Sequence, residues 1–215
     1  MKNETILEML NNNEIEALKK LITQEIYNNS LERKSGYKNR CSALKRYYRL
    51  RGDDSTKLVA GIPYKIENSI YITDGCGIIK TSEDFILDIY PQLDSYIKIE
   101  RLFGQDNMRK YNTADYYKLD FNKVIAMAKA KGYKLTKDNL KLPNYLVKIN
   151  DTYINIAILD INYSVINNGD ITDVKVVDEV TPVLISNDIG MGLICPIKIS
   201  NITNKMVIID IQDII

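Results

Sequence analysis

Histidine is absent from this chain of 215 residues, and no other gap excludes as much chemistry. Without imidazole there is no Ser/His/Asp or Cys/His nucleophile system, and no zinc, iron or copper site built on His ligands. Cysteine is scarce. Cys41, Cys76 and Cys195 stand far apart, with no C-x-x-C pair to begin a thiolate metal site or a redox dithiol. An odd, scattered set in a chain that opens without a signal-peptide pattern predicts reduced thiols in a cytoplasm. Neither sign of charge is in excess: 29 Lys and Arg face 28 Asp and Glu, for a net of +1. No global field therefore draws in nucleic acid, and any basic footprint is local. Apolar runs such as Met206–Ile209 are far too short to span a bilayer, which predicts a soluble protein with no membrane partner.

Phosphate-cradling loops are missing too: there is no G-x-x-x-x-G-K-[ST] and no G-x-G-x-x-G after a strand. Asp74-Gly75-Cys76-Gly77 looks glycine-rich but has no helix after it to bind an anion, so it reads as turn geometry. The carboxylate pairs Asp53-Asp54 and Asp178-Glu179 fall in polar breaks, where a solvated turn or cap explains them. Cys41, beside Arg40, belongs to an apolar helix stripe and reads as small core filler. The sequence thus argues against an enzyme, and it names no catalytic residue, no metal ligand and no cofactor.

What is present is an ordinary globular composition, 45% hydrophobic and 27% charged, long enough for one large domain or two small ones. Ile15, Leu18, Leu21, Ile22 and Ile26 recur at helical spacing, with Asn13 and Glu16 as a capping pair. After Asn28-Asn29-Ser30 comes the most basic stretch of the chain. Arg33, Lys34, Lys38, Arg40, Lys45, Arg46, Arg49 and Arg51 are opposed only by Glu32. There Cys41, Leu44, Tyr47 and Tyr48 give an apolar stripe, and Gly52 with Asp53-Asp54 stops the helix.

From residue 58 the period becomes two. Tyr64 and Ile66, then Ile70 and Ile72, alternate around Glu67-Asn68-Ser69 as a β-hairpin, which runs into Thr73-Asp74-Gly75-Cys76-Gly77 before Ile78-Ile79 resumes the strand. Tyr90-Pro91-Gln92 is the best internal boundary. Beyond it, Tyr116 to Asp120 reads as a strand and Phe121, Val124, Ile125 and Ala128 as a helix stripe ending at Gly132. Tyr145 to Ile149 is a strand. Ile154 to Ile166 fits helix and strand equally well. Val174 to Val177, Pro182 to Ile185, Gly192 to Ile199 and Met206 to Ile211 read as strands. The expected fold class is α+β, mainly antiparallel sheets with few helices. Its expected parts are an N-terminal helical segment (1–56), a hairpin unit with connector (57–100) and a C-terminal unit (101–215).

Two remote segments resemble one family. The hairpin Tyr64 to Gly75, closing in Thr73-Asp74-Gly75, is similar to the strand pair with a Thr-Asp-Gly turn in bacterial DNA polymerase sliding clamps, the β subunit family. Pro182-Val183-Leu184-Ile185, a turn, and Leu193-Ile194-Cys195-Pro196-Ile197-Lys198-Ile199 resemble that family's closing strands, which carry a Met-Pro-Met signature. Tyr90-Pro91-Gln92 resembles the connector into the last clamp domain, and Asp120 to Lys131 lies where that domain has its first inner helix. The departures are definite. Cys76 and Gly77 replace the family's histidine and arginine after the turn. Cys195 and Ile197 flank Pro196 in place of methionines. The chain continues past Ile199 with a strand that could cover the cleft, and it is too short for three full clamp domains.

The resemblance implies a clamp-like replication accessory protein, a homo-oligomer that holds double-stranded DNA and docks peptides of a DNA polymerase or other partners in a hydrophobic cleft. A compact relative of this kind would suit a phage or mobile element. Clamps track phosphates with basic helix faces, and the candidates are Arg40, Lys45, Arg46 and Arg49 on the first basic helix, with Lys123, Lys129 and Lys131 on the second. The cleft would be lined by Thr73, Gly75, Ile78, Leu184, Ile194, Pro196 and Ile197. Gln92-Leu93-Asp94-Ser95-Tyr96 loosely resembles such a peptide, though the connector already explains it. The alternative is a phage or mobile-element interaction protein that binds a host protein through a degenerate clamp fold, without DNA.

Overall fold

The computed structural model describes residues 36–51, 63–82, 99–167, 169 and 171–213. Of the two compact units into which the chain divides, Met1–Lys38 and Asn39–Ile215, the second holds all of these except Gly36, Tyr37 and Lys38. The helix expected around Ile15 to Ile26 and the boundary at Tyr90-Pro91-Gln92 lie outside the described residues.

Helix α1 (Tyr37–Arg51) buries Arg40, Ala43, Leu44 and Tyr47, the i, i+3, i+4, i+7 spacing of one helical face. The buried stripe is therefore rotated from the expected one: Cys41 is half-buried and Tyr48 is 46% exposed. Strands β1 (Tyr64–Ile66) and β2 (Ser69–Thr73) form the expected hairpin, with Glu67 in the left-handed region at its turn. Strand β3 (Gly77–Ser82) does not prolong β2. It runs back along it, pairing Thr73 with Ile78 and Ser69 with Ser82, so Asp74–Cys76 is a second reversal and not a bulge within one strand.

After a short helix α2 (Gln105–Met108) come β4 (Asp115–Leu119) and α3 (Phe121–Ala130). Asp120 caps α3, its carboxylate accepting from the Asn122 and Lys123 amides. Helix α4 (Lys137–Lys141), strands β5 (Tyr145–Ile149) and β6 (Thr152–Asn155), and helix α5 (Ile156–Ile166) follow. The ambiguous stretch is thus a strand end and then a helix, switched at Asn155, whose side chain caps α5 by accepting from the Ala157 amide at 2.9 Å. Every residue of α5 except Ser164 is buried. A helix apolar on nearly all sides belongs inside a core. Its Ile156, Ile158, Leu159, Ile161, Val165 and Ile166 side chains contribute on the order of 10 kcal/mol of burial before ordering entropy is subtracted.

Strands β7 (Thr172–Val176), β8 (Val183–Ser186) and β9 (Gly190–Ile194) complete a seven-stranded, wholly antiparallel sheet of order β1-β2-β3-β9-β8-β7-β4. The first hairpin and the late strands therefore share one sheet. Strand β10 (Val207–Asp210) pairs in parallel with β5, making a three-stranded sheet of order β10-β5-β6. Helix α5 contacts β3 and β9 of the large sheet and β5 and β6 of the small one. The fold is α+β, dominated by a large antiparallel sheet with few helices.

The outer face of the large sheet carries a second apolar layer. Strand register aligns Ile78 with Leu193 and Leu193 with Leu184 in one row across three strands. Tyr111, Phe103 and Met108, from the segment before β4, pack over this face. The Tyr111 hydroxyl donates to the Pro182 carbonyl at 2.6 Å, fixing the cover to the start of β8.

Candidate functional site

The Thr73-Asp74-Gly75 turn is held by its own side chains. Asp74 is fully buried, and its Oδ1 accepts from the Cys76 amide at 2.8 Å and the Gly77 amide at 2.6 Å. The Thr73 hydroxyl donates to the Gly77 carbonyl at 2.9 Å and accepts from the Gly75 amide at 3.0 Å. Gly75 sits at φ 83°, where a side chain would be strained. Gly77 is required for a different reason: a Cβ there would lie 2.7 Å from Asn162 Nδ2 on α5.

This turn meets the Pro196 segment. Gly77 pairs with Ile194, and the Cys195 amide donates to the Cys76 carbonyl at 2.8 Å. The strand expected over Gly192 to Ile199 stops at Ile194. Pro196 has no amide to continue the ladder, and the Ile197 amide instead donates to the Tyr153 carbonyl of β6 at 2.7 Å. The chain thereby crosses from the large sheet to the small one at the proline. Strand β10 lies on the side of β5 away from β6, so the terminal strand is not paired over this junction.

Of the expected cleft residues, Thr73, Gly75, Pro196 and Ile197 gather at the junction, with Ile78 on the adjoining outer face. Gly75 is exposed, while Ile78, Pro196 and Ile197 are half-buried. Three expectations are corrected. Thr73 is buried, with its hydroxyl engaged inside the turn, and does not line a surface cleft. Ile194 is fully buried on the inner side, in the core around α5, and cannot line a surface cleft. Leu184 is buried in the outer layer with Tyr111 and Leu193. Phe103, Met108 and Tyr111 lay in a stretch with no helical or alternating pattern, so periodicity could not point to them as cover for this face.

The basic candidates divide as well. Lys45 and Arg49 are exposed on α1, and α1 has no acid in its first turn. Lys123 and Lys129 are exposed on α3, and Lys131 just after it. Arg40 is fully buried and has no surface to offer a phosphate, which corrects that expectation. Arg46 is turned inward: its guanidinium donates to Ser164 Oγ at 2.9 Å and lies 3.8 Å from the Asp160 carboxylate, both on α5. Asp160 also accepts from the Tyr133 hydroxyl at 3.0 Å, just beyond the end of α3. Helices α1 and α3 are therefore both tied to α5 around one buried carboxylate.

Burial, and then the Asp160 charge, push the Tyr133 hydroxyl well above the ordinary tyrosine range. Burial, followed by Asp178 and Cys195, raises Tyr111 to about 12. Both shifts favour the protonated folded state. Their stabilisation is complete below the unfolded tyrosine pKa of about 10 and is lost as pH rises through the folded values. Urea unfolding should show little tyrosine-linked change in stability between neutral pH and about pH 9, and a steep decline from about pH 10 to 12. Tyr133→Phe should flatten that decline; an unchanged slope in the variant would assign the alkaline sensitivity elsewhere.

Among the described residues no three His, Cys, Asp or Glu side chains gather to hold a metal ion, and no helix is long and apolar enough to cross a membrane. Comparison with models of protein families, with curated proteins and with solved structures gave no match.

Proposed function

We propose that this chain is a clamp-like accessory protein of DNA replication. It holds duplex DNA against the exposed bases of α1 and α3 and docks a partner peptide where the Thr73-Asp74-Gly75 turn meets Pro196. One observation carries the reading: two segments remote in sequence, each resembling part of the clamp peptide cleft, are neighbours joined by the Cys195 amide to Cys76 carbonyl hydrogen bond of 2.8 Å. Two basic helices anchored on a common buried helix support it further, because phosphate tracking needs fixed cations and no base readout. The clamp reading carries with it a homo-oligomer that encloses the duplex.

A second reading has its own support. With Arg40 buried and Arg46 engaged on α5, the basic footprint of α1 is thinner than its sequence. That favours an interaction protein of a phage or mobile element that uses the same junction on a host protein without DNA.

Fluorescence anisotropy with a labelled duplex, across a salt series, separates the two. Reversing Lys45 and Arg49 together to Glu should weaken binding by about tenfold and lower the salt slope by about 2 if both neutralise phosphates. Identical affinity and slope in the reversed protein would remove DNA from the reading. Light scattering on the same samples distinguishes a closed oligomer from a monomer or dimer.

A further inference from the structure

We infer that Cys76 and Cys195 form a thiol-modification site, a cross-strand pair that closes into an intramolecular disulfide by exchange with a low-molecular-weight disulfide. Both thiols are free in the structure. The Gly77–Ile194 pairing of β3 and β9, extended by one residue, sets Cys76 directly opposite Cys195, and the 2.8 Å bond from the Cys195 amide to the Cys76 carbonyl fixes that pairing. In an antiparallel hydrogen-bonded pair the Cα atoms lie about 5.5 Å apart, near the commonest Cα separation of protein disulfides. Cys76 sits in the reversal and packs partly against the core, whereas Cys195 is exposed, so closing the pair takes a rotation of the Cys76 side chain toward its neighbour. The pair sits at the end of the ladder, where the Cys76 amide has already turned away to Asp74 Oδ1.

Access sets the order of events. Cys195 is exposed and Cys76 half-buried, whereas Cys41 lies on α1 and shares no strand with either. The Cys195 thiolate attacks one sulfur of the small disulfide RSSR, forming a mixed disulfide and expelling one RS⁻. The Cys76 thiolate then attacks the Cys195 sulfur and expels the second RS⁻. Two protein thiols are oxidised, RSSR is reduced, and with the two thiol protons the products are two RSH. Desolvation, then Cys76, then Asp74, hold the Cys195 thiol above its ordinary pKa, so the first step accelerates toward alkaline pH. The product would staple the Asp74 turn to the strand that leads into Pro196. This site rests on the adjacency of the two residues across the Cys195 amide to Cys76 carbonyl bond and stands whether or not the junction receives a peptide.

The test treats the folded full-length chain with oxidised glutathione at mildly alkaline pH, followed by intact mass and non-reducing tryptic mapping. Expected are a loss of two hydrogens and a linked pair of peptides, 66–80 with 176–198. Cys41→Ser should close equally well, Cys195→Ser should never close, and the oxidised wild type should melt at a higher temperature until reduced. Glutathione adducts that persist without closure, thiols that stay unreacted, or a link through Cys41 would each overturn the assignment.

Discussion

Asp160→Ala should be among the most destabilising single substitutions in this protein, lowering the unfolding free energy by about 3 kcal/mol. Asp160 is 6% exposed in the middle of α5, and its carboxylate serves two elements at once. It accepts the Tyr133 hydroxyl at 3.0 Å and faces the Arg46 guanidinium at 3.8 Å. Its loss strands a buried phenol and leaves a half-covered cation without its anion. The Coulombic part is discounted because the Arg46 side chain is 40% exposed and water can take over some of its solvation. Stranding the Tyr133 hydroxyl is the larger share, since no water replaces a partner inside the core. Asp160→Asn keeps an acceptor for Tyr133 while removing the charge, and should cost about half as much. Urea unfolding monitored by circular dichroism measures both. An alanine variant within about 0.5 kcal/mol of wild type would show that the carboxylate does not hold α1 and α3 to α5.

The same cluster shows how far the sequence could be read. Period-two alternation located β1 and β2 correctly, because alternate residues of a strand share a face and Ile70 and Ile72 share the one turned to the core, even though Tyr71 on the opposite face is buried as well. Val124, Ile125 and Ala128 located α3 for the equivalent reason at period 3.6. Ile154 to Ile166 resisted, because a segment buried on every side has no periodicity to display, and only Asn155 as a cap marks where strand becomes helix. In sequence the reversal at Asp74 looks like a continuing strand, since the apolar residues resume directly after the glycines. Strand direction depends on hydrogen bonds between Asp74 and the following amides, which composition does not record. Among the basic residues, spacing alone could not show which cations pair with an acid far along the chain. Arg46 meets Asp160 only through tertiary contact, and Arg40 lies on the buried side of its helix. The neighbourhood of the Asp74 turn and Pro196 was expected from a resemblance of motifs, not from any local pattern.

Asp74→Ala should have an effect of comparable size, about 3 kcal/mol, concentrated at the junction. Asp74 Oδ1 takes two amides, those of Cys76 and Gly77, at 2.8 and 2.6 Å, and the side chain is fully buried. Alanine leaves both N–H groups without their acceptor, at roughly 1–3 kcal/mol for each one that stays dry. Cys76 is half-buried, so water recovers part of its share, while the Gly77 amide is buried against α5 and recovers little. Thr73 still ties Gly75 and Gly77, so the reversal should persist in looser form and the chain should remain folded at low temperature. What should go first is the pairing at the end of β3 and β9, read as faster amide exchange at Gly77 and Cys195 than in the centre of the sheet. Asp74→Asn retains one acceptor oxygen and should lose about half as much stability. A labelled clamp-binding peptide adds a functional readout. If the junction is its site, Asp74→Ala and Ile197→Asp should both weaken the peptide while Asp160→Asn leaves it bound. An Asp74→Ala protein with wild-type stability and unchanged exchange at Gly77 would mean that the turn does not organise the junction.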